Sequence, residues 1–248
     1  MFMDKQTLID YTLHLADSTL ILSQRNSEWC GHGPILEQDI AITNISLDLL
    51  GQARNFYQYA AALIGGDATE DSLAYLRKER ECKNLLLVEQ SNGDWGQTIL
   101  RQYLFSQFQL LLFNDLQQAN DEQLAAIAAK AIPEITYHVR WSSEWVIRLG
   151  DGTEESHARM VKAVSELWRY TGEMFIQAAY EQQVDVIQLK NSWLDKVKNI
   201  FTEATLQIPE WNDAAMQKGG KQGIHTEQLG FLLTELQYMQ RAYPGAEW

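Results

Sequence analysis

The chain has 248 residues, 46% of them apolar, and can therefore bury a substantial core as one domain or two small ones. It has 33 Asp and Glu residues against 20 Lys and Arg, a formal net charge of −13, which argues against nucleic-acid binding. Asp4 and Asp10 interrupt the basic start and apolar run that a signal peptide needs, and no stretch approaches a membrane span. We therefore expect a cytoplasmic protein that binds neither membrane nor nucleic acid.

Glycine and proline cluster at a few sites and leave long segments free to form helices. From Ile42 to Leu63, apolar residues recur every three or four positions, which places them on one helical face. Pro133 should kink or break the fifth helix because its ring removes one backbone hydrogen bond. No segment has the period-two pattern of a strand. The sequence predicts helices near 5–24, 35–64, 71–78, 97–118, 121–149, 154–181, 190–206 and 225–242.

Several of these predicted helices are longer than is usual in globular proteins, which favours a bundle of helices packed side by side. The chain has no repeat, linker or low-complexity tract. The sequence therefore predicts an all-α fold in a single domain over residues 1–248.

Local motifs do not identify an enzyme. GxSxG, Walker A, HExxH and Rossmann patterns are absent from the sequence. Cys30 and Cys82 are far apart and form no CxxC pair, so we expect two reduced thiols rather than a disulfide or a zinc ribbon. The run from Arg77 to Lys83 predicts an exposed helix end of mixed charge.

A di-iron carboxylate site in a helical bundle requires Glu-x-x-His on two helices and a Glu on each of two others. Only one of the five histidines, His157, has a Glu three residues before it, at Glu154. This pair follows a glycine turn, where Thr153 is expected to cap a helix and the helix dipole alone favours Glu154. His138 lies on an apolar stripe, where a lone histidine is more often hydrogen-bonded structure. The spacing does not predict a metal site.

The segment Lys218–Gly223 is rich in glycine and precedes a predicted helix. Its backbone N–H groups, two lysines and the helix N-terminus together suit a phosphate. Most glycine-rich surface loops are only connections, so we favour a solvated turn over a phosphate site.

Four segments resemble a known family along essentially the whole chain. Together they closely resemble the C subunits of the bacterial phenylacetyl-CoA epoxidases (ring 1,2-phenylacetyl-CoA epoxidases), which are multicomponent monooxygenases of phenylacetate catabolism. The segments are LSQRNSEWCGHGPILEQDIAITNISLDLLGQARNFYQYAA (22–61), NLLLVEQSNGDW (84–95), KAIPEITYHVRWSSEWVIRLGDGTEES (130–156) and GGKQGIHTEQLGFLLTELQYMQRAYPG (219–245).

The resemblance implies a ferritin-like helical bundle with extra helices that serves as a structural subunit and is not itself catalytic. Its implied partners are a catalytic di-iron subunit, other subunits of the complex and phenylacetyl-CoA. It implies no cofactor in this chain, with di-iron in the catalytic partner and NADPH, flavin and an iron–sulfur cluster in a reductase component. The alternatives are an active di-iron oxidase, oxygenase or ferritin-like protein, and a helical binding protein unrelated to oxygenases.

Similarity to the catalytic subunit also implies a vestigial di-iron site that lacks its ligands. Glycine and arginine replace one Glu-x-x-His pair, only the histidine of the other pair is kept, and a threonine replaces a ligand glutamate. These positions are Thr19, Gly51, Arg54, Ile135 and His138.

Arg54 is the most informative of these substitutions. A buried guanidinium needs carboxylate or carbonyl partners. We expect Arg54 to fill the vacated metal cavity and to pair with Asp48 or Glu134. The alternative is that Arg54 points outward into a subunit interface.

The resemblance further implies contacts with the CoA part of the substrate. Lys83 is expected to meet a phosphate, and Tyr180 is expected to stack on adenine. An anionic acyl-CoA must meet this acidic chain at a local cationic patch, because the overall charge repels it. The implied contact residues are Glu81, Cys82, Lys83, Asn84, Ala178, Ala179 and Tyr180.

Overall fold

A computed structural model describes residues 3–182 and 184–246. In those residues it contains α-helices and no β-strand, which confirms the predicted all-α fold class. None of these helices is long and apolar enough to cross a membrane. The helices are α1 (Lys5–Ser27), α2 (Leu36–Ile64), α3 (Glu70–Tyr75), α4 (Leu86–Glu89), α5 (Trp95–Leu116), α6 (Glu122–Gly150), α7 (Glu154–Leu167), α8 (Val186–Glu203), α9 (Glu227–Leu236) and α10 (Tyr238–Ala242).

Capping side chains fix where many of these helices begin. The Asp4 carboxylate accepts a hydrogen bond from the Thr7 backbone N–H, 3.1 Å away, and so satisfies one donor that the first turn of α1 leaves open. Thr153 caps α7 in the same way, since its hydroxyl accepts from the backbone N–H of Ser156. This cap was predicted from the sequence. Further caps of this kind are Thr69, Asp94, Asp121 and Asp185.

The helix predicted over 121–149 is confirmed as α6, whereas the helix predicted over 154–181 ends early. Helix α6 continues through Pro133 without a break. Helix α7 ends at Leu167 instead of continuing to residue 181, because the chain tightens into 3₁₀ turns at Trp168–Tyr170 and Gly172–Phe175. At Gly172 a side chain would meet Met216 at 2.5 Å, so this close packing requires glycine.

The chain divides into two compact units. The first comprises the chain up to Ser91, Ala178–Tyr180 and the chain from Gly219 onward. Its main contact joins α1 and α2. The predicted apolar face of α2 is confirmed, since Ile42, Ile45, Leu49, Ala53, Phe56 and Ala60 are all fully buried. Each large apolar side chain buried in this way contributes roughly 1.5–3 kcal/mol.

The second unit, Asn92–Gln177 with Glu181–Lys218, packs α5 against α6, α7 and α8. Its core holds an aromatic cluster in which the Trp193 ring is fully buried and its indole N–H donates to the Leu104 carbonyl, 3.0 Å away. The rings in contact are those of Trp168, Phe175, Trp193, Phe201 and Trp211. Much of the aromatic content is therefore core. The single domain over residues 1–248 stays a prediction.

Candidate functional site

The first unit is organised around a buried carboxylate, Asp17 on α1. One oxygen accepts from the Tyr57 hydroxyl at 2.6 Å, and the other accepts from the Lys83 backbone N–H at 2.7 Å. Arg77 donates to both oxygens through its two terminal nitrogens. The Asp17 side chain is 1% exposed and that of Arg77 is 12% exposed. This Asp17 cluster (Asp17, Tyr57, Arg77 and the Lys83 N–H) fixes the segment Glu81–Asn84 against α1 and α2.

The Asp17 cluster changes the acid–base properties of its neighbours. Burial raises the pKa of Tyr57 well above its usual value, and the negative charge of Asp17 raises it further. Burial alone would lower the pKa of Arg77, but the Asp17 charge outweighs it and the net shift is upward. Burial, followed by the Asp17 charge, raises the pKa of the Cys82 thiol to about 12. Cys82 is therefore an inert thiol at neutral pH; Cys30 is exposed, and both are free cysteines.

Lys83 lies at the point where two segments implied to contact CoA meet. Its backbone carbonyl accepts a hydrogen bond from the His14 Nδ1 at 2.7 Å. Its ammonium lies 5.4 Å from the centroid of the Tyr180 ring and 3.5 Å from a carboxylate oxygen of Asp10. Because the Lys83 side chain is still 25% exposed, it offers a partly solvated positive charge at this junction.

Tyr180 occupies a closed position. Its residue is 7% exposed, and its ring centroid lies 5.6 Å from that of His14 and 6.4 Å from that of Tyr11. Its hydroxyl donates to the backbone carbonyl of Lys221, 3.0 Å away. Protein groups surround the ring in this structure, and the stacking of Tyr180 on adenine stays a prediction.

The other implied CoA contacts divide by exposure. Cys82, Asn84 and Ala178 are buried, whereas Glu81 and Ala179 are exposed. The structure thus brings the two segments together, and an external ligand would meet Lys83, Glu81 and Ala179 first. The buried residues Cys82, Asn84 and Ala178 pack inside the protein and support the two segments.

The glycine-rich segment Lys218–Gly223 is not the solvated turn that its composition predicts. Lys221 is 1% exposed, and Gly219 and Gly220 are buried. At Gly223, which has a φ of +76°, an added Cβ would lie 2.3 Å from the Arg80 carbonyl oxygen. This segment therefore packs directly on the chain just before Glu81, and its central lysine is not available to a ligand at the surface.

A second buried carboxylate, Glu89, ties the start of α9 to the same region. One oxygen accepts from the Thr226 backbone N–H at 2.7 Å and from the Thr226 hydroxyl at 2.8 Å. The other accepts from the Asn84 amide and lies 2.8 Å from the His225 Nδ1. The His225 Nε2 lies 3.0 Å from the Cys82 carbonyl oxygen. Both ring nitrogens of His225 thus face acceptors, which suits an imidazolium paired with Glu89. We call Glu89, Asn84, His225 and Thr226 the Glu89 cluster.

The sequence pattern indicated neither of the two buried clusters. It predicted that Arg77 lies on an exposed helix end, which is wrong, because Asp17 and Tyr57 enclose its guanidinium. A local signal does exist for the two carboxylates. Asp17 and Glu89 each stand alone in an apolar run, and a charge there needs a buried partner.

Arg54 is not buried, contrary to the expectation from its place in the implied metal site. Its side chain is 68% exposed, and its Nε lies 3.5 Å from a carboxylate oxygen of Glu70 rather than pairing with Asp48 or Glu134. The pKa of Glu70 is lowered, first by a hydrogen bond from the Gln58 amide and further by Arg54. Arg54 follows the buried Ala53 by one residue, and this step of about 100° turns it away from the core.

The five positions of the implied vestigial site do not offer the ligands of a di-iron centre. Gly51 and Ile135 have no donor atom, and the Thr19 hydroxyl donates to a carbonyl of its own helix. Gly51 and Arg54 are exposed, whereas Thr19, Ile135 and His138 are buried. In the part of the chain that the structure describes, no three His, Cys, Asp or Glu side chains are grouped to hold a metal ion. The residues present do not fit iron.

Glu154 and His157 lie at the start of α7. The His157 Nδ1 lies 2.7 Å from the Gly150 carbonyl oxygen, and Glu154 is an exposed residue in the first turn of α7. The ring thus helps to join α7 to the end of α6.

Comparisons with known proteins agree with this all-helical architecture. A family model described as phenylacetic acid catabolic protein matches residues 2–248. The chain is 50% identical to the C subunit of 1,2-phenylacetyl-CoA epoxidase from Escherichia coli (strain K12), over 97% of this chain and 99% of that protein. These matches confirm the resemblance and the ferritin-like helical fold that it implies. The chain belongs to the family of phenylacetic acid catabolic proteins.

Proposed function

We propose that this chain is a structural, non-catalytic subunit of a multicomponent monooxygenase that epoxidises the ring of phenylacetyl-CoA. The observation that carries the proposal is the 50% identity to the C subunit of such an epoxidase over nearly the full length of both chains. The chemistry of the five implied metal positions supports a non-catalytic role, since they lack the carboxylates and the second histidine of a di-iron centre. The chain then acts by binding a catalytic di-iron subunit, other subunits and substrate.

In this proposal the iron belongs to the catalytic partner, and NADPH, flavin and an iron–sulfur cluster belong to a reductase component. Co-expression with a catalytic di-iron subunit tests the role directly. Stable co-purification supports a structural subunit, whereas a chain that purifies alone with iron and oxidase activity supports the alternative of an independent di-iron enzyme. The cytoplasmic location stays a prediction from the sequence.

We further propose that Lys83 contacts a phosphate of the CoA part of the substrate. Lys83 is the cation among the seven implied contact residues, and its ammonium is partly exposed. Its backbone is held on both sides, by Asp17 through its N–H and by His14 through its carbonyl. A cation on a fixed backbone loses less conformational freedom when it binds an anion.

Replacing Lys83 with glutamate should weaken the binding of phenylacetyl-CoA to the assembled complex by about 10-fold or more, because a charge-assisted hydrogen bond becomes a repulsion. Isothermal titration of the purified complex measures this affinity. The control is Lys130→Glu, which makes the same change in net charge at an exposed position on α6. Equal affinity of the two variants would rule out the Lys83 contact without affecting the subunit role.

A further inference from the structure

The outward face of α2 carries an apolar stripe that nothing in the described chain covers. Leu36, Ile40, Leu47 and Leu50 are 71%, 51%, 60% and 42% exposed. At 3.6 residues per turn, these four side chains fall within an arc of about 80° and extend over about 21 Å of the helix. They lie opposite the buried face of the same helix. We call these four residues the α2 stripe.

This arrangement is unusual for a surface that faces only water. Single exposed apolar residues are normal on protein surfaces, but a contiguous apolar patch commonly marks an interface. The α2 stripe lies on one face of a long helix, with the residue spacing by which one helix packs against another, and Thr43 and Asn44 occupy the turn between Ile40 and Leu47. The stripe therefore has the form of a helix-packing surface without its second helix.

Gly51 supplies a second observation at the same face. It lies in the interior of α2 and is exposed, and an added Cβ would meet nothing within 4 Å. Glycine in a helix interior weakens the helix, and no packing around this position requires it. A glycine beside Leu47 and Leu50 lets the backbone of an external helix approach closely.

We propose that the α2 stripe docks an apolar helix of a partner subunit, and that this partner helix is flanked by Lys and Arg side chains. The inference rests on the proposed function, in which the chain is one subunit of a complex. At 100° per residue, Glu37 and Asp48 lie on one side of the stripe and Asp39 lies on the other, where its carboxylate also accepts from the Gly33 backbone N–H at 2.9 Å. The nearby cation Arg54 already lies close to Glu70. The whole chain carries a net charge of −13.

The charges beside the stripe distinguish a second copy of this chain from a different partner subunit. A second copy of this chain would bring acidic borders and two strongly negative bodies together, whereas a partner with basic borders complements them. The stripe is smaller than a whole interface. A stable interface buries about 800 Å² on each partner, and four exposed aliphatic side chains form the apolar centre of such a surface rather than all of it. We therefore assign the stripe to a partner subunit whose apolar helix has basic borders, and the catalytic subunit of the proposed complex is the partner on which the assignment is tested.

Replacing Leu47 with aspartate should raise the dissociation constant for the catalytic subunit by about 30-fold or more, as expected for a charge placed in the centre of an interface. Surface plasmon resonance with the immobilised catalytic subunit measures it, and circular dichroism should show an unchanged fold. The control is Ile187→Asp, which changes a residue of 72% exposure on α8 and should bind like the wild type. Equal binding of both variants would overturn the proposal.

A Gly51→Gln variant separates docking from folding. Glutamine favours the helix more than glycine does, so the melting temperature of the isolated chain should rise while binding to the catalytic subunit weakens. Unchanged binding would show that no helix approaches Gly51 closely.

Light scattering identifies the occupant. The isolated chain should be a monomer, and a dimer that Leu47→Asp dissociates would assign the stripe to a second copy instead. Wild-type chain that fails to bind the catalytic subunit would overturn both the docking face and the proposed function. Wild-type binding that survives Leu47→Asp would overturn the docking face alone.

Discussion

Replacing Asp17 with alanine should lower the free energy of unfolding by about 3–5 kcal/mol, because it leaves the guanidinium of Arg77 buried without its carboxylate. The Tyr57 hydroxyl and the Lys83 backbone N–H lose their acceptor in the same change. Urea unfolding followed by circular dichroism measures the loss.

A double variant identifies the source of this loss. In Asp17→Ala with Arg77→Met both charges are gone, so part of the stability lost in Asp17→Ala should return. Arg54→Ala is the matched control, because it breaks an exposed contact with Glu70 and should cost less than about 1 kcal/mol. A loss in Asp17→Ala no larger than that of the control would contradict the role given to the Asp17 cluster.

Replacing Glu89 with glutamine should cost about 3 kcal/mol or more, although the two side chains have nearly the same shape. All the partners of the carboxylate donate to it, so the new amide N–H₂ must face a donor whichever way it turns. The buried His225 also loses the charge that pairs with it. The measurement is again the urea unfolding midpoint, together with its slope.

Glu227→Gln provides the control for this variant. It makes the same chemical change one residue after Thr226, at an exposed position in the first turn of α9. Its unfolding curve should overlay that of the wild type. If Glu89→Gln were equally stable, the Glu89 cluster would not hold α9 to the segment before it.

Apolar periodicity predicted the helices well where one face packs against a neighbour. On α2, the spacing from Ile42 to Leu63 gave both the helix and its buried face. The same periodicity fails beyond Leu167, where close packing at Gly172 and 3₁₀ turns end the helix. Such contacts join residues distant in sequence and leave no local pattern.

The candidate site was predictable only in part. The resemblance singled out Glu81–Asn84 and Ala178–Tyr180, and the structure places these segments in contact through Lys83 and Tyr180. The resemblance did not indicate that other residues of the protein enclose the Tyr180 ring. The partners that hold the site, Asp17 with Arg77 and Glu89 with His225, lie 60 and 136 residues apart in the chain.

Arg54 shows how a resemblance and a helical pattern can conflict. The resemblance implied that Arg54 lies in a buried metal cavity, whereas the buried face of α2 passes through Ala53 and Phe56. Neighbouring residues on a helix point about 100° apart, so both could not face the core equally. The periodicity was the better guide because burial of apolar surface determines which face of a helix turns inward.

The iron content of the separated subunits tests the non-catalytic role most directly. The complex of this chain with its catalytic partner should be purified and its subunits separated under conditions that retain iron. Elemental analysis should then find the iron with the catalytic subunit and far less than a stoichiometric amount with this chain. Stoichiometric iron bound to this chain, together with turnover of phenylacetyl-CoA in the absence of the partner, would contradict the proposal.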